Sequence, residues 1–220
     1  MRIAQPSEIL GYLPLYALGH DIVTYDRPRN AIEAVVKSQA DLCIGDPFLF
    51  DYYDYDKNDI VIIAGFSNRI FHSLITFDPF LDSKNLKGRT IVSYPEPSTS
   101  FFLSRNLKKE KKLGAMIQTP FNTELGPLLT QEADMAIVLE PNLTYALKNG
   151  AREIMDFSKK KAVMTGIMTT RHNYEKNRKE IEIFLADIRE SIKKICSDEE
   201  YAYGIAKKNF PMVEEEVLRQ

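Results

Sequence analysis

The sequence predicts an α/β protein of two lobes, each a mostly parallel sheet flanked by helices, closed by a helical C-terminus. Three observations predict it. Short apolar, β-branched runs alternate with helical segments from the first residues to Gly45. The alternation starts afresh at Arg89, after a polar connection from Asp78 to Lys87. From Ile181 onward the apolar residues recur only at helical spacing. On this division one lobe takes residues 1–77 and 163–220 and the other residues 78–162.

The bulk composition narrows the function classes. At 220 residues, 44% hydrophobic and 27% charged, the chain has enough apolar surface for a sizeable core. A formal charge of −2 gives no electrostatic case for nucleic acid. The lysine runs at Lys108–Lys112 and Lys159–Lys161 read as solvated surface. The longest apolar runs, such as Ile60 to Gly65, are strand-sized, so no membrane span is expected. No charged-plus-apolar leader precedes Pro6, which places the chain in the cytoplasm if the sequence is complete and outside it if a leader was removed. Cys43 and Cys196 are expected as free thiols, and His20, His72 and His172 are too scattered to suggest a metal site. No cofactor is expected.

Taken in order, Arg2–Gln5 reads as a strand that ends at Pro6-Ser7, and Leu10–Leu18 as a helix. Asp21–Tyr25 is the second strand. Pro28 then opens a helix carrying Ala31, Val35 and Val36 on one stripe, and Ala40–Gly45 is the third strand. The aromatic run Phe48–Tyr55 reads as a packed short helix. Ile60–Phe66 and Phe71–Phe77, separated by Ser67-Asn68-Arg69, have nearly hairpin spacing, and the second lacks polar alternation as a central strand would. In the second half, Arg89–Ser93, Ala115–Gln118 and Met135–Leu139 are strands, Gly126–Leu129 and Asn142–Lys148 are helices, and Asn149-Gly150 is a helix stop. Val163–Thr170 is a late strand that returns to the first lobe. Ile181, Phe184, Leu185, Ile188, Ile192 and Ile195 mark one face of a long helix, Ser197–Glu200 starts another, and Pro211 opens the last.

The stretch from Leu86 to Lys112 carries the best candidate chemistry. Arg89–Ser93 is a strand, Pro95 and Pro97 break it, and Ser98-Thr99-Ser100 stands where a helix begins. A helix start points free N–H groups and the positive end of its dipole outward, so hydroxyls beside it suit a small polar ligand. A serine that only caps the helix explains the same residues.

Four segments in order resemble the type 2 periplasmic binding proteins, in the branch that binds sulfonates, nitrate and thiamine pyrimidines. They are Pro14–Ala17, Ala40–Pro47, Leu86–Ile91 with the following Ser-Thr-Ser, and Glu132–Pro141. The resemblance implies two α/β lobes that close on a small molecule. It assigns ligand contacts to Ser7 and Tyr12 after the first strand, Gly45 and Asp46 after the third, and Ser98, Thr99 and Ser100 in the second lobe. Phe121, Asn122 and Glu140 complete that wall, with Glu96 flanking it and Arg69 as an anion partner. Asp46 and Glu140 either accept from a ligand amine or cap the helices that follow them. The chain is shorter than most members of that family, and the lipid-anchor cysteine and the cysteine-rich signature of the pyrimidine synthases are missing.

The expected function is therefore a solute-binding protein that passes a small polar or heteroaromatic molecule to an ABC-type permease, acting as a monomer. The alternatives are a small enzyme on the same fold, similar to the menaquinone-pathway dehydratases, or a ligand-sensing module. No catalytic constellation of His-Asp-Ser or Cys-His type is visible, so no catalytic residue is assigned. Glu96 and Glu140 argue against a simple oxyanion as ligand and toward a heteroaromatic or amine-bearing one.

Overall fold

The computed structural model describes residues 1–47 and 53–219, and within them the chain divides into two compact units, Met1–Phe66 with Thr165–Gln220 and Ser67–Met164. In chain order, unit 1 begins with β1 (Arg2–Gln5), a 3-10 turn (Leu10–Tyr12), α1 (Leu13–Tyr16), β2 (Asp21–Thr24), α2 (Pro28–Val36) and β3 (Leu42–Gly45). Next come β4 (Ile60–Arg69), β5 (Ser73–Thr76), β6 (Ile91–Ser93), α3 (Thr99–Lys111), β7 (Met116–Gln118), α4 (Leu125–Leu129), β8 (Met135–Val138), α5 (Asn142–Lys148) and β9 (Arg152–Asp156). The chain closes with β10 (Lys161–Thr170), α6 (Arg171–Lys176), α7 (Arg178–Ser197), α8 (Glu199–Asn209) and α9 (Glu215–Leu218).

The first sheet has the order β2-β1-β3-β10-β4. Its first three strands are parallel, with Arg2–Gln5 in register with Asp21–Thr24 and Ile3-Ala4 against Leu42-Cys43. β10 then runs antiparallel to β3, setting Gly166 opposite Gly45. Alternation along the strands sorts the core onto two faces. Ile3, Leu42, Ile44 and Ile167 meet Leu15 and the α7 stripe of Ile181, Phe184 and Ile188, whereas Ala4, Cys43 and Met168 meet Ala31, Ile32 and Val35 of α2. Each large side chain of this kind contributes about 1.5–3 kcal/mol when fully buried. Pro28 stands at the start of α2, where its fixed φ suits a helix and its missing N–H costs nothing. Gly166 is glycine because the strands approach closely; a Cβ there would lie 3.3 Å from Ile62 Cγ2.

The second sheet, β7-β6-β8-β5-β9, repeats the plan. β7, β6 and β8 are parallel, and β5 is antiparallel to both β8 and β9. Val92, Ala136, Val138 and Ile75 pack with Leu128, Ala133 and Ala146 beneath α4 and α5. Arg89 and the Thr90 backbone N–H both bond the Asp134 carboxylate, at 2.8 and 2.7 Å, which ties the entry of β6 to that of β8. α3 ends with Lys112 in the left-handed region, and α5 ends at Asn149 with Gly150 at φ 93°, the expected stop.

Several expectations are corrected. The two apolar runs either side of Ser67-Asn68-Arg69 form no hairpin, because those three residues continue β4 and β5 joins the other sheet, fully buried between β8 and β9. The passages between units accordingly fall inside β4 and β10. The helix expected over Leu10–Leu18 is split between the 3-10 turn and α1, and Pro211 starts a turn, the last helix beginning only at Glu215. β9 was missed, its residues Arg-Glu-Ile-Met-Asp offering no apolar run. Of the aromatic run Phe48–Tyr55, residues 48–52 lie outside the described residues. Cys43 and Cys196 are free thiols, and no helix among the described residues is long and apolar enough to cross a membrane.

Candidate functional site

Strand order locates the candidate sites. In each sheet the central parallel strand, β1 or β6, is flanked by its successor on one side and by the third strand on the other. The loops leaving the carboxyl ends of β1 and β3, and of β6 and β8, therefore diverge, and such switch points open crevices lined by backbone N–H groups and loop side chains.

In unit 1 the switch point holds Ser7, which is buried, and Tyr12 on the 3-10 turn, with Gly45 and Asp46 at the end of β3. Tyr12 is 4% exposed, its ring edge-on to Phe66 at 5.8 Å. Burial drives its phenol well above the usual range, with the Asp46 carboxylate adding to the effect and a hydrogen bond from Thr165 opposing it. The same carboxylate raises the Cys43 thiol and the Tyr55 phenol, burial being the larger cause in both. Tyr12 and Tyr55 pack in the cores on opposite faces of the sheet, and both phenols stay neutral.

In unit 2, Ser98 caps α3 by accepting from the Phe101 N–H at 3.2 Å, and Ser100 accepts from the Tyr94 N–H at the same distance. Ser98, Thr99 and Ser100 are all buried. The peptide bonds Glu96-Pro97 and Glu140-Pro141, in the loops after β6 and β8, are both cis. Glu96 is exposed, its backbone N–H donating to Gln118. Glu140 is half-buried and accepts from the Thr144 N–H and hydroxyl, both at 3.1 Å, so its carboxylate holds the first turn of α5. Arg69 is exposed at the end of β4, reaching the Ser158 carbonyl at 3.5 Å.

Phe121 lies against the Tyr94 ring, centroids 4.7 Å apart, and Asn122 turns the chain behind it at φ 64°. That turn delivers a residue the sequence did not flag. Glu124 is 0% exposed, and its Oε1 accepts both from the Tyr94 hydroxyl at 2.7 Å and from Asn142 Nδ2 at 2.9 Å. Its Oε2 is buried without a hydrogen-bond partner. Burial pushes the Glu124 carboxyl up and the Tyr94 phenol well up, the latter helped by the nearby carboxylate. Tyr94, Glu124 and Asn142 stand just beyond the carboxyl ends of β6, β7 and β8, so one cluster joins all three loops. The only trace in the sequence is an acid before a short helix, which reads as an ordinary cap.

Among the described residues no group of three or more His, Cys, Asp or Glu side chains is placed to hold a metal. His72 is buried and its imidazole pushed down to about 3, so it stays neutral.

No protein-family model matches the sequence, and no curated protein matches it either. Solved structures do. The periplasmic aliphatic sulphonate binding protein SsuA from Escherichia coli is 18% identical over 99% of this chain and 80% of its own, with a TM-score of 0.79. The chain has the periplasmic binding protein fold. The alkanesulfonate-binding SsuA from Xanthomonas axonopodis pv. citri, bound to MOPS, matches over 99% of this chain and 81% of its own, with 13% identity and a TM-score of 0.78. The zinc-bound ligand-binding component of an ABC-type import system from Staphylococcus aureus matches over 100% and 82%, with 14% identity and a TM-score of 0.77. The periplasmic binding protein fold expected from the resemblance is therefore present along the whole chain.

Proposed function

We propose that this chain is a solute-binding protein that captures a small polar or heteroaromatic molecule and presents it to an ABC-type permease. The observation that carries the reading is the likeness of the whole chain to solute-binding proteins. The polar crevices at the carboxyl ends of the strands supply the residues. Unit 1 offers Ser7, Tyr12, Gly45 and Asp46; unit 2 offers the α3 start at Ser98–Ser100 with Phe121, Asn122 and the flanking Glu96, Glu140 and Arg69. The half-buried Phe121 ring, backed by Tyr94, gives an aromatic ligand a surface to lie on. Neighbours described as binding proteins support binding over catalysis, so the dehydratase-like reading takes second place.

The test is native mass spectrometry of the purified protein for a retained solute, followed by thermal-shift titration with sulfonates and small heteroaromatics. Ser98 and Ser100 also hold local structure, so the triple variant S98A/T99A/S100A starts less stable. The quantity that counts is the ligand-induced shift from each protein's own starting Tm. Its loss in the triple variant is expected; an undiminished shift sinks the assignment of α3 to the site.

A further inference from the structure

The Tyr94–Glu124–Asn142 cluster has a definite hydrogen-bond polarity. Both donors, the phenol at 2.7 Å and the amide at 2.9 Å, converge on Glu124 Oε1. A carboxylate stripped of water needs donors on both oxygens, and leaving one bare carries the full desolvation penalty. Oε2 has no such donor, although the residue is 0% exposed. The arrangement fits a carboxylic acid instead: Oε1 is the carbonyl that accepts twice, and Oε2 carries the proton. Burial also favours the acid form, opposed only in part by hydrogen bonds from Asn142, Tyr94 and the residue's own backbone. Tyr94 faces the carboxyl as a phenol held protonated far above neutrality, and so remains a donor.

An acid O–H without an acceptor is half of a recognition pair. It stands where the loops after β6, β7 and β8 meet, bonded through its other oxygen to Tyr94, whose ring lies against the half-buried Phe121. We propose that Glu124 is a specificity residue of the solute site, entering it as a neutral acid whose Oε2–H donates to an acceptor atom of the bound molecule. This rests on the solute-binding reading and deepens it. The site then selects solutes with a compact acceptor, such as a sulfonyl or carbonyl oxygen or a ring nitrogen, and disfavours an ammonium head, which brings a donor to meet a donor.

Two measurements on the whole chain test it. The first needs no ligand: stability of wild type and Glu124→Gln by urea denaturation from pH 4 to pH 8. A carboxyl raised in the folded state binds its proton longer folded than unfolded, so wild type must lose stability relative to the glutamine variant as pH climbs above the ordinary carboxylate range. A pH-independent difference overturns the neutral acid. The second is calorimetric titration with a matched pair of probes, benzenesulfonate and benzylamine, which differ in bringing an acceptor or a donor to the same ring. Wild type should prefer the sulfonate. Glu124→Gln, whose amide keeps an acceptor for Tyr94 and Asn142 and a donor in place of Oε2–H, should retain that preference, whereas Glu124→Met should weaken sulfonate binding roughly tenfold or more. Preference for the amine by wild type, or unchanged sulfonate binding by Glu124→Met with its fold intact, overturns the proposal while leaving solute binding in place. Failure of wild type to bind either probe counts instead against the solute-binding reading, and the proposal falls with it.

Discussion

The two units share one strand plan and furnish it differently. Each has three parallel strands with the first in the centre, extended by a strand that runs antiparallel to the third. In unit 1 the loop residues of the switch point include the neutral phenol Tyr12, packed edge-on to Phe66 and hydrogen-bonded by Thr165. In unit 2 the equivalent corner is bound together by a buried acid, a phenol and an amide. A common framework therefore fixes where the crevice lies, while a handful of loop side chains decide its chemistry. The covering differs as well. Unit 1 rests on the 20-residue α7, whereas α4 and α5 of unit 2 have 5 and 7 residues.

The largest effects should come from the two cores: Phe184→Ala in unit 1 should cost about 3–5 kcal/mol and Leu74→Ala in unit 2 about 2–5 kcal/mol. Hydrogen exchange should show the lost protection first in β1 and β3 for the former and in β5 and β8 for the latter; equal loss in both sheets would mean that the two frameworks open as one. Next in size is Tyr94→Phe, which leaves Glu124 Oε1 with a single donor and should cost about 1–3 kcal/mol in urea denaturation. Tyr12→Phe, which leaves no buried carboxyl short of a donor, should cost no more than about 1 kcal/mol, and a reversal of this order would remove the difference between the two phenols. Ser98→Ala should remove about 1 kcal/mol through the lost α3 cap, with glycine at that position milder than alanine. Smallest is Glu140→Ala, expected below about 1 kcal/mol and confined to protection in α5; a larger, ligand-dependent effect would return Glu140 to the binding wall.

Much of this framework is legible in the residues, because burial writes a period into them. β1 and β3 carry apolar residues on both faces, as strands covered on both sides must, and α7 shows its stripe at three- and four-residue spacing. The hairpin expectation failed for a physical reason as well. Two apolar runs separated by three polar residues look alike whether the chain turns back or runs straight on and joins another sheet, since pairing is a long-range choice. β9 was invisible because its side chains are polar or half-buried at the sheet's edge. The site divides in the same way. Ser98 announces itself by its place before a helix, but Glu124 acquires its character from Tyr94 and Asn142, 30 residues before it and 18 residues after it in sequence. No local pattern records such a meeting.

Unit 2 is one unbroken insertion, Ser67–Met164, between the two segments of unit 1, Met1–Phe66 and Thr165–Gln220. As the chain leaves the ribosome, every strand of the second sheet has emerged before β10 and α7 emerge. The inserted unit can therefore mature first, while β1 and β3, made earliest, wait with Ile3, Leu42 and Ile44 uncovered until the last quarter of the chain arrives. Nascent chains stalled with Met164 just clear of the exit tunnel should resist protease in unit 2 and remain cleavable in unit 1.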